Sequence, residues 1–140
     1  MIDSRFAPYG AFALRLALGS MWLSHGLMKF FVFTPAGFAG FLASQGMPAS
    51  LAWPIILGEI LGSLAILFGV YGRLVSVVLL PVLLGAFVVH FGNGWVFSVP
   101  NGGWEYPAFL AAASLVHAAI GDGALALHAR GLPIPRPAAA

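Results

Sequence analysis

The amino-acid sequence predicts an all-α fold: an integral membrane four-helix bundle with a short interfacial helix between the first two spans. Composition is the first reason. Hydrophobic residues make up 61% of the 140 positions and charged residues only 7%, against about 25% charged in a soluble domain. So few charges cannot cover a water-facing surface, and Leu, Val, Ala and Phe must face lipid. Segmentation is the second. Four apolar stretches, at about residues 7–33, 51–71, 74–91 and 104–127, approach the roughly 20 residues that a helix needs to cross the hydrocarbon core. Residues 1–140 are read as a single transmembrane domain.

The first stretch is too long for the apolar region of a cleaved leader and carries Arg15, His25 and Lys29, so it is expected to remain as a membrane helix. Residues 34–50 hold Pro35, Gly37, Gly40, Gly46 and Pro48 among Phe38, Phe41 and Leu42, a pattern that predicts a short helix lying on the bilayer. In the second span Gly58, Gly62, Ala65 and Gly69 form a small-residue groove, with Glu59 and Ser63 beside it; small residues let a neighbouring backbone come close. The same groove offers a surface for a second copy of the chain. The third span follows after only Gly72 and Arg73, as a tight antiparallel hairpin, and Pro81 in its middle predicts a kink. Residues 92–103 are rich in Gly and Asn, contain Trp95 and Phe97, and lead into Trp104 and Tyr106. Trp and Tyr favour the headgroup level, so this loop is expected to fold back as a lid. The fourth span is expected to end near Gly121-Asp122-Gly123 or Leu127.

Charge sets orientation and excludes some partners. Arg5, Arg73, Arg130 and Arg136 share one side of a four-span topology and Lys29 lies near the other. The positive-inside rule then places both termini in the cytoplasm. The pI of about 9.5 accompanies a net charge of only +2 and no basic cluster, so nucleic acid is set aside as a partner. There is no cysteine, hence no thiol chemistry and no Cys-ligated cluster within this chain.

Ionisable groups inside apolar runs are the candidate functional residues. Each would cost roughly 2.5–3.5 kcal/mol if it faced lipid. At about 1.5 Å per residue, His25 and Glu59 both lie about 12 Å below the outer face, with Lys29, His90 and Glu105 above them. Arg15 and Asp122 match in depth near the cytoplasmic end and read as a structural pair. Trp22, His25 and Lys29 fall within about 80° of Arg15 around the first helix, a stripe narrow enough to face wholly inward. Glu59 with His25 is the pair least easily explained as scaffold, because one apolar replacement would avoid its desolvation cost. His117 reads as a hydrogen-bonded helix-packing residue and His128 as an interface marker. No two of the four histidines have the helical spacing of paired ligands, so there is no metal motif, and no flavin motif is present either.

Taken in order, Leu14-Arg15-Leu16-Ala17-Leu18-Gly19, His25-Gly26-Leu27-Met28-Lys29, Gly58-Glu59-Ile60-Leu61-Gly62-Ser63, Gly72-Arg73, His90-Phe91-Gly92-Asn93-Gly94 and Gly103-Trp104-Glu105-Tyr106-Pro107 resemble the DoxX family of small four-helix bacterial membrane proteins. The resemblance covers about residues 8–128. It implies a location in the bacterial inner membrane and picks out Arg15, His25, Gly26, Lys29, Glu59, Arg73, His90 and Glu105. Some members are described as the membrane subunit of a thiosulfate:quinone oxidoreductase, others as partners of oxidative-stress or sulfur-handling complexes. Where many members read Gly-Pro-Gly after the last helix, this chain reads Gly121-Asp122-Gly123, which makes the Arg15–Asp122 pairing particular to a subgroup.

Two functions follow as expectations. In the first, the chain is a redox-linked membrane subunit, at most one part of an oxidoreductase complex, that binds a quinone with Trp22, His25, Lys29, Glu59, His90, Trp104 and Glu105. His25 or His90 donates to a carbonyl, and Glu59 and His25 are the candidate proton-exchange groups. Trp22, Trp95 and Trp104 supply stacking walls, and electrons come from a protein partner in the membrane. In the second, the chain is a non-catalytic membrane anchor, an assembly factor or a small-solute carrier.

Overall fold

The computed structural model describes residues 3–127; His128, Arg130 and Arg136 lie outside the described residues. Among the described residues every regular element is helical. Helix α1 (Ala7–Leu27) starts with Pro in its first turn, where the missing N–H costs nothing. Its buried residues, Ala11, Arg15, Leu18, Gly19, Trp22 and Gly26, recur at three- and four-residue spacing and form one inward stripe. The helix then widens into a π-helical turn, Met28–Val32, which carries Lys29.

Thr34 makes the next bend. Its φ of 62° is unusual for a β-branched residue, and such strain costs on the order of 1–3 kcal/mol. The Thr34 hydroxyl caps the following helix by accepting from the Gly37 amide at 3.2 Å. That helix, α2 (Pro35–Ser44), lies 99° from the preceding helical run. Its buried Phe38 and Leu42 pack with Ala52 and Ile56.

After a 3-10 turn at Ala49–Leu51, α3 runs from Ala52 to Phe68. It stops three residues short of the expected span end because Gly69, at φ 65°, closes it in the left-handed conformation while the Val70 amide reaches back to the Ala65 carbonyl at 2.9 Å. Gly72 and Arg73, expected in the hairpin, instead begin α4 (Gly72–Val78). Arg73 caps the end of another helix, donating to the carbonyls of Ala118 at 2.7 Å and Ala119 at 3.3 Å. The interruption falls at Leu79, between α4 and α5 (Leu80–Phe91). Pro81 has no N–H to give to the Val77 carbonyl, so the helical ladder is broken there.

Helix α6 (Glu105–Ile120) is shorter than its expected stretch. Gly121 at φ 94° and Gly123 at φ 69° turn the chain out of helix, and the residues beyond cross back over the molecule. The Ala124 amide donates to Pro8 and that of Leu127 to Phe68, both at 2.9 Å.

Helix α1 packs between α3 and α6, α3 against α4, and both α4 and α5 against α6. Leu18, Trp22, Ile66, Leu79, Leu83 and Leu110 form the core where they meet. By length and composition Ala49–Phe68 and Gly72–Phe91 are long and apolar enough to cross a membrane. The bent pair Ala7–Val32 with Pro35–Ser44 makes a third if counted as one span.

The close approach of α1 to α3 depends on glycines of α1. A Cβ at Gly26 would lie 2.7 Å from Ile60 Cγ1 and 3.2 Å from Glu59 Cβ. The glycine groove of α3 turns elsewhere: Gly62 faces Val75 of α4 and Leu79 just after it, at 3.2 and 2.9 Å from the position of its absent Cβ.

Candidate functional site

A cavity of about 810 Å³ lies between α1, α2 and α3 on one side and α5 and α6 on the other. Helix α4 contributes nothing to its described lining; the Pro81 break hands the wall over from the α4 segment to α5, whose Pro81, Gly85, Ala86 and Val89 line it. The remaining surface is mostly apolar: Met21, Trp22, Phe38, Leu42, Ile55 and Leu110 are among the lining residues. The polar exceptions are Lys29, Glu59, His25, His90 and Tyr106.

Glu59 is 2% exposed, and its partner is Lys29. The Lys29 ammonium donates to both carboxylate oxygens, at 2.7 and 2.8 Å, from a side chain that is itself 14% exposed. Its Nζ also lies 5.5 Å from the centre of the Phe38 ring, a cation–π contact that ties α2 to the pair. The expected His25–Glu59 pair is therefore replaced by Lys29–Glu59. Equal depth did place Glu59 beside α1, but the π turn and the long lysine stem bring Nζ back to the carboxylate, while the His25 ring turns towards α6. It stacks on Tyr106 with centroids 5.4 Å apart and an angle of 22°.

Both cavity histidines are held by main-chain carbonyls. His25 Nδ1 lies 2.9 Å from the Met21 oxygen and His90 Nδ1 2.9 Å from the Asn101 oxygen. A carbonyl only accepts, so Nδ1–H donates in each case, and the neutral ring offers Nε2 as an acceptor. Two further groups on the wall lack a partner among the described residues, Trp22 Nε1 and the Tyr106 hydroxyl.

Trp104 and Glu105, expected at the site, do not line the cavity. They hold the loop of residues 92–103 instead. Trp104 packs edge-on to Trp95 at 4.3 Å and against Phe87 at 5.4 Å. The Glu105 carboxylate accepts from the Phe97 amide at 2.8 Å, and the Trp104 amide donates to the Gly94 carbonyl at 3.1 Å. A residue that starts a helix next to a tight loop is better placed to bond that loop than to reach into the helices below.

A second polar cluster occupies the other end of the molecule. Arg15, 1% exposed, donates from Nη2 to the Ala124 carbonyl at 3.0 Å and lies over Phe12 at 5.1 Å. It does not form the expected ion pair with Asp122. Asp122 Oδ1 lies 3.2 Å from His117 Nε2, close but out of line for a hydrogen bond, while His117 Nδ1 bonds Ser76 Oγ at 2.7 Å. The segment after α6 explains the exchange: it brings Asp122 to α4 and α6, and gives Arg15 a carbonyl in its place. Sequence reasoning passed over Ser76 and read Tyr106 only as a headgroup-level aromatic; both are polar residues in apolar helices, the same signal that flagged the charged ones. Among the described residues no group of three or more His, Asp or Glu converges as a metal site.

These features define a lipid-embedded, multi-pass, all-helical protein with an apolar cavity edged by a buried ion pair. The chain belongs to the DoxX family, whose profile matches residues 10–92. A relative from Bacillus subtilis (strain 168), "Putative oxidoreductase CatD", is 33% identical over 82 residues, which are 56% of this chain and 58% of that protein. The chain thus spans under two thirds of that relative's length. No solved structure matches it.

Proposed function

We propose that this chain is the membrane subunit of an oxidoreductase complex and that its cavity binds a quinone. The observation that carries this reading is the cavity: about 810 Å³ of mostly apolar wall that gathers a buried ion pair, two imidazoles and the unpartnered groups of Trp22 and Tyr106. That volume is within the range of small-molecule and cofactor sites, and a few convergent polar groups on an apolar wall are their usual form. The name of the Bacillus subtilis relative supports a redox role for the family.

A bound quinone would supply two-electron, two-proton carrier chemistry. The protein residues bind, orient and manage protons. Phe38, Leu42, Ile55 and Leu110 hold apolar ring and tail. Trp22 N–H and Tyr106 O–H are donors free to meet ring oxygens. Neutral His25 and His90 accept at Nε2, which reverses the donor role expected of them. Lys29 and Glu59 form a pair that can pass a proton between ammonium and carboxylate, so that the pair stays neutral overall. With no cysteine in the chain, electrons come from a partner subunit.

In this reading α1, α3, the α4–α5 stretch and α6 are four crossings of a bacterial inner membrane, α2 lies along the interface, and both termini are cytoplasmic. Because the chain has no cysteine, single substitutions report sidedness directly: Arg5→Cys is expected to label only from the cytoplasm and Phe97→Cys only from outside. The function is tested by mild-detergent purification, quantification of co-purifying quinone, and quinone-linked turnover of the captured complex. Bound quinone, with turnover impaired by Glu59→Gln, supports the proposal. A stable partner complex without quinone, or a Glu59→Gln complex with unchanged binding and turnover, overturns it in favour of an assembly anchor.

A further inference from the structure

We infer that the cavity binds the reduced, dihydroxy form of its quinone more tightly than the oxidised form, and so makes the bound quinone a stronger electron acceptor. The inference rests on the quinone reading of the same cavity. It starts from the direction of two hydrogen bonds, His25 Nδ1 to the Met21 carbonyl and His90 Nδ1 to the Asn101 carbonyl, each 2.9 Å. Main chain from two separate parts of the fold, the body of α1 and the loop after α5, thereby fixes both rings in one tautomer. Each neutral imidazole faces its surroundings with the Nε2 lone pair.

The charged donor of the cavity is largely committed. Lys29 gives two of its three N–H groups to Glu59, at 2.7 and 2.8 Å, and its Nζ lies over Phe38. Trp22 N–H and the Tyr106 hydroxyl remain as neutral donors. A quinol hydroxyl both donates and accepts, so it satisfies an imidazole Nε2 and one of those donors together. A quinone carbonyl accepts only; it uses the donors and leaves the two Nε2 lone pairs facing no hydrogen. Each hydrogen bond that the quinol makes to such an acceptor and the quinone cannot make shifts the balance towards quinol by about tenfold. The couple is quinone plus two electrons and two protons to quinol, with electrons from the partner subunit that the reading requires. A tenfold preference for quinol raises the two-electron midpoint potential of the bound couple by about 30 mV.

The experiment uses the full chain in lipid nanodiscs, titrated with decyl-ubiquinone and with chemically reduced decyl-ubiquinol while quenching of its tryptophan fluorescence is followed. The quinol is expected to bind at least about tenfold more tightly. His25→Leu and His90→Leu should each lower that ratio several-fold. Equal affinities, or tighter binding of the oxidised form, overturn the inference and leave the cavity reading standing. Binding of neither form overturns both.

Discussion

The two ends of the molecule bury ionisable groups in different ways. At the cavity end Lys29 and Glu59 satisfy each other through two short hydrogen bonds, and open space adjoins them. At the other end Arg15, His117 and Asp122 are closely surrounded. A Cβ on Gly69 would collide with Arg15 Nη1, and one on Gly72 with Asp122 Oδ1. Arg15 there has a single carbonyl partner, and its Nε and Nη1 have none among the described residues. Desolvation penalises both clusters alike. Access is what separates them: charge beside a cavity can meet a ligand, whereas charge packed against glycine backbone fixes how helices and the final segment fit together.

The largest effect is expected from Glu59→Leu, which leaves the Lys29 ammonium without its partner at 14% exposure. A loss of about 3–5 kcal/mol is expected in denaturant unfolding in micelles. Adding Lys29→Met should recover most of that stability while quinone-linked turnover stays impaired; a double variant with full turnover would break the contrast between the two ends.

Next come the glycines. Gly26→Ala would press on Ile60 and Glu59, and Gly72→Ala on Asp122. Each should cost about 1–3 kcal/mol. Only Gly26→Ala should also weaken cavity binding, because only it displaces Glu59, so equal binding losses in the two variants would argue against separate roles.

Ser76→Ala should cost about 1–2 kcal/mol by leaving His117 Nδ1 unpaired, with the ligand titration unchanged. The smallest effect belongs to Arg5→Ala. Its pair with Asp3 is exposed, at 83% and 48%, and no measurable change in melting is expected.

Much of this arrangement is visible along the chain, and its limits have physical causes. The helical regions follow from apolar stretches broken by Pro and Gly, and Thr34-Pro35 marks one of the turns; Gly69, read as part of the small-residue groove, ends α3 instead. Glu59, Lys29, His25 and His90 stand out because polar groups are rare in such stretches, and all four line the cavity. Trp104 and Glu105 do not, because whether a helix-start residue points along the loop or into the core depends on backbone turns that periodicity does not describe. The same applies to Asp122, whose position beyond Gly121 is set by a change of direction at φ 94°.

By itself the sequence determined the solvent this protein faces, the helical nature of its elements and the short set of residues worth inspecting, since composition and spacing suffice for those. Only tertiary structure decided the pairings. Helical rise gives depth but not reach: the π turn and four-carbon stem of Lys29 bring its ammonium to Glu59, and His25 is left to stack on Tyr106. The cavity, likewise, is a product of packing: its lining comes from α1, α2, α3, α5 and α6, which are far apart along the chain. Depth along the helices already separates the charges into two groups, and the space beside them tells which can take a ligand.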